Sequence, residues 1–243
     1  MAENFFKKAT NKAKEAFKGL TEKLKTKKVF DETANSILAL DSPNDLKEAY
    51  NSLCMNIIHL CSDDGVKKIA VTSSEYGEGK SELAVNLAIS LSHNLIDKKI
   101  LLIDADMHNP HIKSFIPDDL CNKDTANGLS DYLSSKDNEP SFIESKISNL
   151  SLLFSGSETA NKSGLLNSDR MNELLSTCEE KFDYVIIDTP PTGYASDTLL
   201  LSPRVTGYVV STKAKVSTVP MLNAATEALE SVDAKVLGVV LAM

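Results

Sequence analysis

The sequence predicts an α/β fold, a mostly parallel sheet with helices on both faces, and three observations carry that prediction. From residue 68 onward, short runs of Ile, Val and Leu alternate with stretches of helical periodicity. One run, Ile69-Ala70-Val71, passes through a glycine-containing loop directly into the helical stretch Leu83-Ala84-Val85-Asn86-Leu87-Ala88. Two other runs end in aspartate, at Asp104 and Asp188. Alternation of this kind reads as βαβ units, and ligands in such an architecture bind at the carboxyl ends of the strands.

In chain order, Phe5, Phe6, Ala9, Ala13, Phe17, Leu20 and Leu24 recur among lysines at spacings of three or four, the pattern of a basic amphipathic helix. Residues 1–28 hold nine Lys against three Glu. Such a helix is suited to an anionic membrane surface or to a partner protein; a solvated arm is the alternative, because Gly19 and several threonines weaken it. A linker follows near 29–43, and Pro43-Asn44-Asp45 opens a second helix to about residue 60. Strands are expected near 68–73, 99–104, 151–155, 183–188, 206–211 and 235–241, with helices near 80–94, 163–180, 196–203 and 217–231. The division is a basic segment over 1–30 and one nucleotide-binding domain over 31–243.

At 243 residues and 42% hydrophobic content the chain can bury one substantial core. The net charge is −8, with +6 in residues 1–28 and −14 in the remainder, so nucleic acid is not an expected partner of the main domain. Cys54, Cys61, Cys121 and Cys178 form no CxxC pair and no metal-ligand rhythm with the four histidines, which predicts reduced thiols in a cytoplasm and no disulfides. No run approaches the roughly 18 apolar residues of a membrane span, and the N-terminus lacks the apolar core of a secretory signal. His59, His93 and His111 read as surface or packing residues, Met55 and Met171 as helix packing.

The loop Ser73-Ser74-Glu75-Tyr76-Gly77-Glu78-Gly79-Lys80-Ser81-Glu82 has the residue types of a phosphate cradle. Gly77 and Gly79 lack a Cβ and can take positive φ, so the backbone N–H groups around Glu78 can turn onto phosphate oxygens at a helix N-terminus. Lys80 supplies a mobile cation for the outer phosphates, and the Ser81 hydroxyl is placed to ligate Mg²⁺. The strict motif wants Gly six residues before the lysine; Ser74 stands there. Two further motifs, Leu101-Leu102-Ile103-Asp104-Ala105-Asp106 and Tyr184-Val185-Ile186-Ile187-Asp188-Thr189-Pro190-Pro191, deliver acids at strand tips. Three carboxylates beside a triphosphate would repel it without Mg²⁺ between them, so their convergence implies the metal.

Together EYGEGKS, LLIDADMHNP and YVIIDTPP closely resemble the bacterial protein-tyrosine kinases, particularly the cytoplasmic capsular and exopolysaccharide type, within the P-loop NTPase superfamily. Further likeness lies in Glu48-Ala49-Tyr50, in Gly128-Leu129-Ser130-Asp131-Tyr132-Leu133, in Gly164-Leu165-Leu166, and in Asp197 followed by Arg204; it covers roughly residues 44–241. The related partition and septum-positioning ATPases carry a signature lysine five residues before the phosphate lysine, where this chain has Glu75. By resemblance, Lys80 and the amides from Gly77 to Glu82 would hold ATP, Ser81, Asp106 and Asp188 would hold Mg²⁺, and Asp104 would accept the proton of an incoming tyrosine hydroxyl. The resemblance also implies a membrane-bound activator of the polysaccharide co-polymerase kind, a protein tyrosine substrate and a homo-oligomer, at a cytoplasmic location peripheral to the membrane.

Departures from that pattern are visible. His108 replaces an arginine two residues after Asp106, and Asn51 and Cys54 replace two arginines of the helix motif EAYRSLR that meet a neighbouring subunit. The chain has only Arg170 and Arg204 against 24 lysines. It stops at Leu241-Ala242-Met243 without the family's tyrosine-rich tail, and its six tyrosines are scattered, with Tyr184 and Tyr208 in expected core strands. Two further readings therefore stand beside the kinase: a nucleotide-binding regulatory subunit that transfers little, and a membrane-positioning ATPase.

Overall fold

The computed structural model describes residues 38, 42–61, 65–121, 127–135, 137 and 139–242. The basic helix expected over 3–28 and most of the linker near 29–43 lie outside the described residues. The elements run α1 (Asn44–Leu60), β1 (Lys67–Ser73), α2 (Lys80–Asn94), β2 (Ile100–Asp104), α3 (Ile112–Phe115), α4 (Leu129–Ser134), β3 (Ile143–Glu144), β4 (Leu150–Leu153), α5 (Lys162–Leu166), α6 (Asp169–Lys181), β5 (Tyr184–Asp188), α7 (Asp197–Leu200), a 3₁₀ turn (Ser202–Arg204), β6 (Gly207–Lys213), α8 (Val219–Glu230) and β7 (Val236–Ala242).

The seven strands form one sheet in the order β3-β4-β2-β5-β1-β6-β7. Every pairing is parallel except β3 against β4. Alternate residues of each strand face opposite sides. Ile100 and Leu102 of β2 pack with Ile69, Ile186 and α2, whereas Leu101 and Ile103 pack with Val185, Ile187 and the α6 residues Met171, Leu174 and Cys178. Both faces are thus covered, as parallel sheets require.

Burial of α2 is almost complete because it lies between the sheet and α1. Its polar residues are correspondingly bonded to α1: the Asn86 amide donates to the Tyr50 hydroxyl at 3.2 Å and the Asn94 amide to Asn51 Oδ1 at 2.9 Å. Burial pushes the Tyr50 phenol up to about 12. Cys54, Cys61, Cys121 and Cys178 are buried, as are Tyr184 and Tyr208, while Met55 of α1 is 53% exposed, contrary to its expected packing role.

Three expected elements differ. The single helix over 163–180 is two, because the Ser168 side chain accepts from the Met171 amide at 3.3 Å and caps a fresh start. The helix over 196–203 is one turn followed by a 3₁₀ turn, with Pro203 near the start of the latter. The strand over 151–155 runs Leu150–Leu153, and the two-residue β3 adds an antiparallel edge that no periodicity signalled.

Candidate active site

The carboxyl ends of β1, β2 and β5 lie side by side. The register pairs Asp188 with Val71 on one flank and with Asp104 on the other, so two acids share neighbouring strand tips. From the end of β1 the loop turns at Gly77 and Gly79, with φ of 85° and 77°. Gly79 is the left-handed N-cap of α2, a conformation a side chain would strain.

Glu78 braces this loop. Its buried carboxylate accepts the Ser74 amide at 2.7 Å, the Glu75 amide at 2.9 Å and the Ser74 hydroxyl, and it is also bonded to the Ser217 hydroxyl of the β6–α8 connection. The Glu78 carbonyl accepts from Ser211 Oγ at 2.6 Å. Ser74, which stands where the strict motif has glycine, is thereby part of the loop's own bonding. The Glu78 side chain is spent on that bracing, so only its backbone is available to a ligand. Glu82, in the first turn of α2, is half-buried and its charge contributes to the raised Tyr50 phenol.

Lys80 is the electrostatic centre. Its Nζ lies 2.7 Å from Asp106 Oδ2, 3.4 Å from Asp188 Oδ1 and 3.1 Å from Ser81 Oγ, and its side chain is 6% exposed. Burial alone would depress the ammonium, but Asp188, Asp106 and Asp104 overcome it and hold Lys80 above its usual range. Asp104 lies well above the usual carboxylate range, through burial first and the Asp188 charge second. Asp188 is pushed up to about 6 by burial, against the pull of Lys80.

The loop after β2 fixes the other acid contacts. Asp104 Oδ2 accepts the Ile112 amide at 3.2 Å, and Asp106 Oδ1 accepts the Asn109 amide at 3.1 Å. Asp104 Oδ1 and Asp188 Oδ2 are buried with no hydrogen-bond partner among the described residues. Unsatisfied buried carboxylate oxygens are costly, and their donor set suits a hard cation. No group of three or more His, Cys, Asp or Glu side chains among the described residues forms a metal cage by itself; Mg²⁺ in phosphate-transfer sites takes one or two carboxylates and completes its shell with phosphate and water, so these residues fit it.

Aromatic residues stand around the acids. The Tyr76 hydroxyl lies 3.4 Å from Asp106 Oδ1, and its ring meets Tyr194 edge-to-face at 4.8 Å. Burial and the Asp106 charge raise the Tyr76 phenol. Tyr194 also meets His108 at 5.7 Å. His108 Nε2 is 2.9 Å from Asp197 Oδ2, and the other Asp197 oxygen accepts Ser163 Oγ at 2.5 Å. Sequence reasoning singled out His108 and Asp197 but missed Tyr194 and Ser163, which sit in ordinary turn and helix-start contexts.

A glycine loop after one parallel strand and at a helix N-terminus, a buried lysine and three acids at the tips of two neighbouring strands define a P-loop nucleotide-binding domain. The AAA domain family model matches residues 66–212. Tyrosine-protein kinase CpsD of Streptococcus pneumoniae serotype 4 is 33% identical over 196 residues, covering 80% of this chain and 83% of that one. Among solved structures, the chimerical protein CapA2B2 superposes with a TM-score of 0.70 at 31% identity, covering 80% and 83%. The kinase domain of the Escherichia coli tyrosine kinase ETK superposes at 0.72 over 90% and 84%, a likeness of fold at 23% identity. The chain carries the AAA domain and belongs to the bacterial tyrosine-protein kinase family. Among the described residues no helix is long and apolar enough to cross a membrane.

Proposed function

We propose that this chain transfers the γ-phosphoryl group of ATP to a protein tyrosine in the control of capsular or exopolysaccharide synthesis or export. The observation that carries the reading is the buried set of Asp104, Asp106 and Asp188 around Lys80, three acids against one cation. Lys80 and the amides from Gly77 to Glu82 would hold the phosphates, and Ser81, Asp106 and Asp188 would hold Mg²⁺. Mg²⁺ bound there would neutralise triphosphate charge and hold its oxygens. Asp104, made more basic by burial and by Asp188, would take the phenolic proton as the tyrosine oxygen bonds to the γ-phosphorus and the bond to ADP breaks. Positioning and charge neutralisation are most of what such a transfer needs from the protein.

The family resemblance supports a membrane-bound activator, a cytoplasmic location and self-association, and the composition of residues 1–28 supports peripheral contact with anionic lipid. The division into a basic segment over 1–30 and a kinase domain over 31–243 is part of the same reading. Incubation with γ-labelled ATP and Mg²⁺, with and without the activator, tests it. Label on tyrosine supports the kinase; free phosphate without label selects a positioning ATPase, and neither product selects a regulatory subunit. Lys80→Met abolishes the label, and tyrosine phosphorylation surviving in that variant refutes the site.

A further inference from the structure

Three rings from three separate loops meet on the solvent side of the acids: Tyr76 from the glycine loop, His108 from the loop after β2, and Tyr194 from the loop after β5. We propose that Tyr76, Tyr194 and His108 form an aromatic rim that seats the ring of the acceptor and makes the site selective for phenolic over aliphatic hydroxyls. The proposal rests on the kinase reading and adds to it the residues that choose the substrate.

Several observations converge on it. Tyr194 is 60% exposed although it lies against two other aromatic side chains. A large ring left open to water contributes little to the core, and exposed aromatic surface is what recognition sites use. The polypeptide holds it in place: Gly193 donates its amide to the Ser74 carbonyl at 3.1 Å, and a Cβ there would lie 2.7 Å from that oxygen. The loop bearing Tyr194 is therefore bonded directly to the loop bearing Tyr76.

His108 is pinned from behind. Asp197, 1% exposed, holds Nε2 with one oxygen and is itself bonded to Ser163 with the other. The aspartate lies between the serine and the histidine, so the histidine does not contact the serine and the set is not a nucleophilic triad; it orients the imidazole. Tyr76 gives the pattern of a phenol beside the acids, for its ring meets Tyr194 while its hydroxyl comes within 3.4 Å of Asp106. An acceptor tyrosine has the same two ends, a ring for the rim and a hydroxyl for the carboxylates. An aliphatic hydroxyl offers the second without the first.

The test compares wild type, Tyr194→Ala and Tyr194→Phe, using a tyrosyl peptide as acceptor and saturation-transfer NMR of N-acetyl-tyrosinamide and N-acetyl-serinamide as a binding readout. Tyr194→Ala is expected to raise KM for the peptide roughly threefold to tenfold, the range one aromatic pair is worth, with KM for ATP unchanged. Tyr194→Phe should behave as wild type. N-acetyl-tyrosinamide should show saturation with wild type that Tyr194→Ala loses, and N-acetyl-serinamide should show none. An unchanged peptide KM in active Tyr194→Ala, or a KM for ATP that moves in parallel, overturns the rim and leaves the kinase reading standing. Wild type that labels no tyrosine overturns the kinase reading and the rim with it.

Discussion

Asp188→Asn should make the protein more stable while disabling it. The substitution keeps the side chain's shape and an oxygen towards Lys80 but removes a charge from a fully buried position. Burial holds the Asp188 carboxyl at about 6 instead of 3.8. The folded state therefore binds more protons than the unfolded state between those values, and stability falls as pH rises through that window. The difference is roughly two units, or about 3 kcal/mol against the fold above pH 6. For a chain of this size about 1 kcal/mol moves Tm by roughly 2–4 °C. Lys80 keeps Asp106 at 2.7 Å, so a gain of roughly 5 °C or more at pH 8 is expected. Thermal melts of both proteins from pH 8 to pH 4 measure it. The wild type should gain on acidification and the gap should close by about pH 4, while transfer activity in the variant falls roughly a hundredfold or more. A variant that melts below wild type at pH 8, or a gap that is the same at both ends of the range, refutes the account of a destabilising buried charge.

The remaining predictions address the loop, the thiols and the arm. Glu78→Gln weakens charge-assisted bonds to the Ser74 and Glu75 amides, costing about 1.5–3 kcal/mol; KM for ATP should rise and Tm fall, and unchanged values would show the brace to be idle. Burial holds the Cys54 thiol at about 11 and the Cys178 thiol at about 12, so both should resist a thiol reagent at pH 8 until denaturant is added; rapid native labelling, mapped by peptide mass, would contradict the packing. Deleting residues 1–28 should abolish sedimentation with anionic vesicles at low salt, and undiminished sedimentation would remove the membrane-contact reading.

Legibility followed the range of the physics involved. The glycine loop, Lys80 and the acids at Asp104, Asp106 and Asp188 were readable because each sits at the end of an apolar run whose neighbours in sequence are its neighbours in space. Six of the seven strands were readable for the same reason, down to the switch from Ile to aspartate in β2 and β5, whereas the edge strand β3 was not. What escaped was set by contacts between distant segments. Ser74 departs from the strict motif, and its part in the loop lies in its bond to Glu78; the Glu78 carboxylate is held by Ser217, 139 positions later, which leaves its amide to a ligand. Tyr194 gave no signal at all, because its partners Tyr76 and His108 come from other loops. The break at Ser168 was a local signal that the long apolar periodicity of 163–180 outweighed.

The two arginines of the chain both serve the scaffold. Arg204 donates to Asn172 at 2.7 Å and to the Leu200 carbonyl at 2.8 Å, tying α7 to α6. Arg170 pairs with Glu173 at 2.7 Å and stacks on Tyr132 at 4.0 Å. Both guanidinium groups are thus committed to contacts between helices and not to the acids at the tips of β2 and β5. At the expected subunit-contact helix, Cys54 is buried against α2 and Asn51 is bonded to Asn94, so α1 secures its own domain with neutral contacts there. Guanidinium groups are well suited to bidentate charge stabilisation of a transferring phosphoryl group. Within the described site that work falls to Lys80, and among the described residues neither arginine joins it. A cation brought to the site by the proposed membrane activator would add to Lys80 there, a chemical task beside placing the kinase at the membrane.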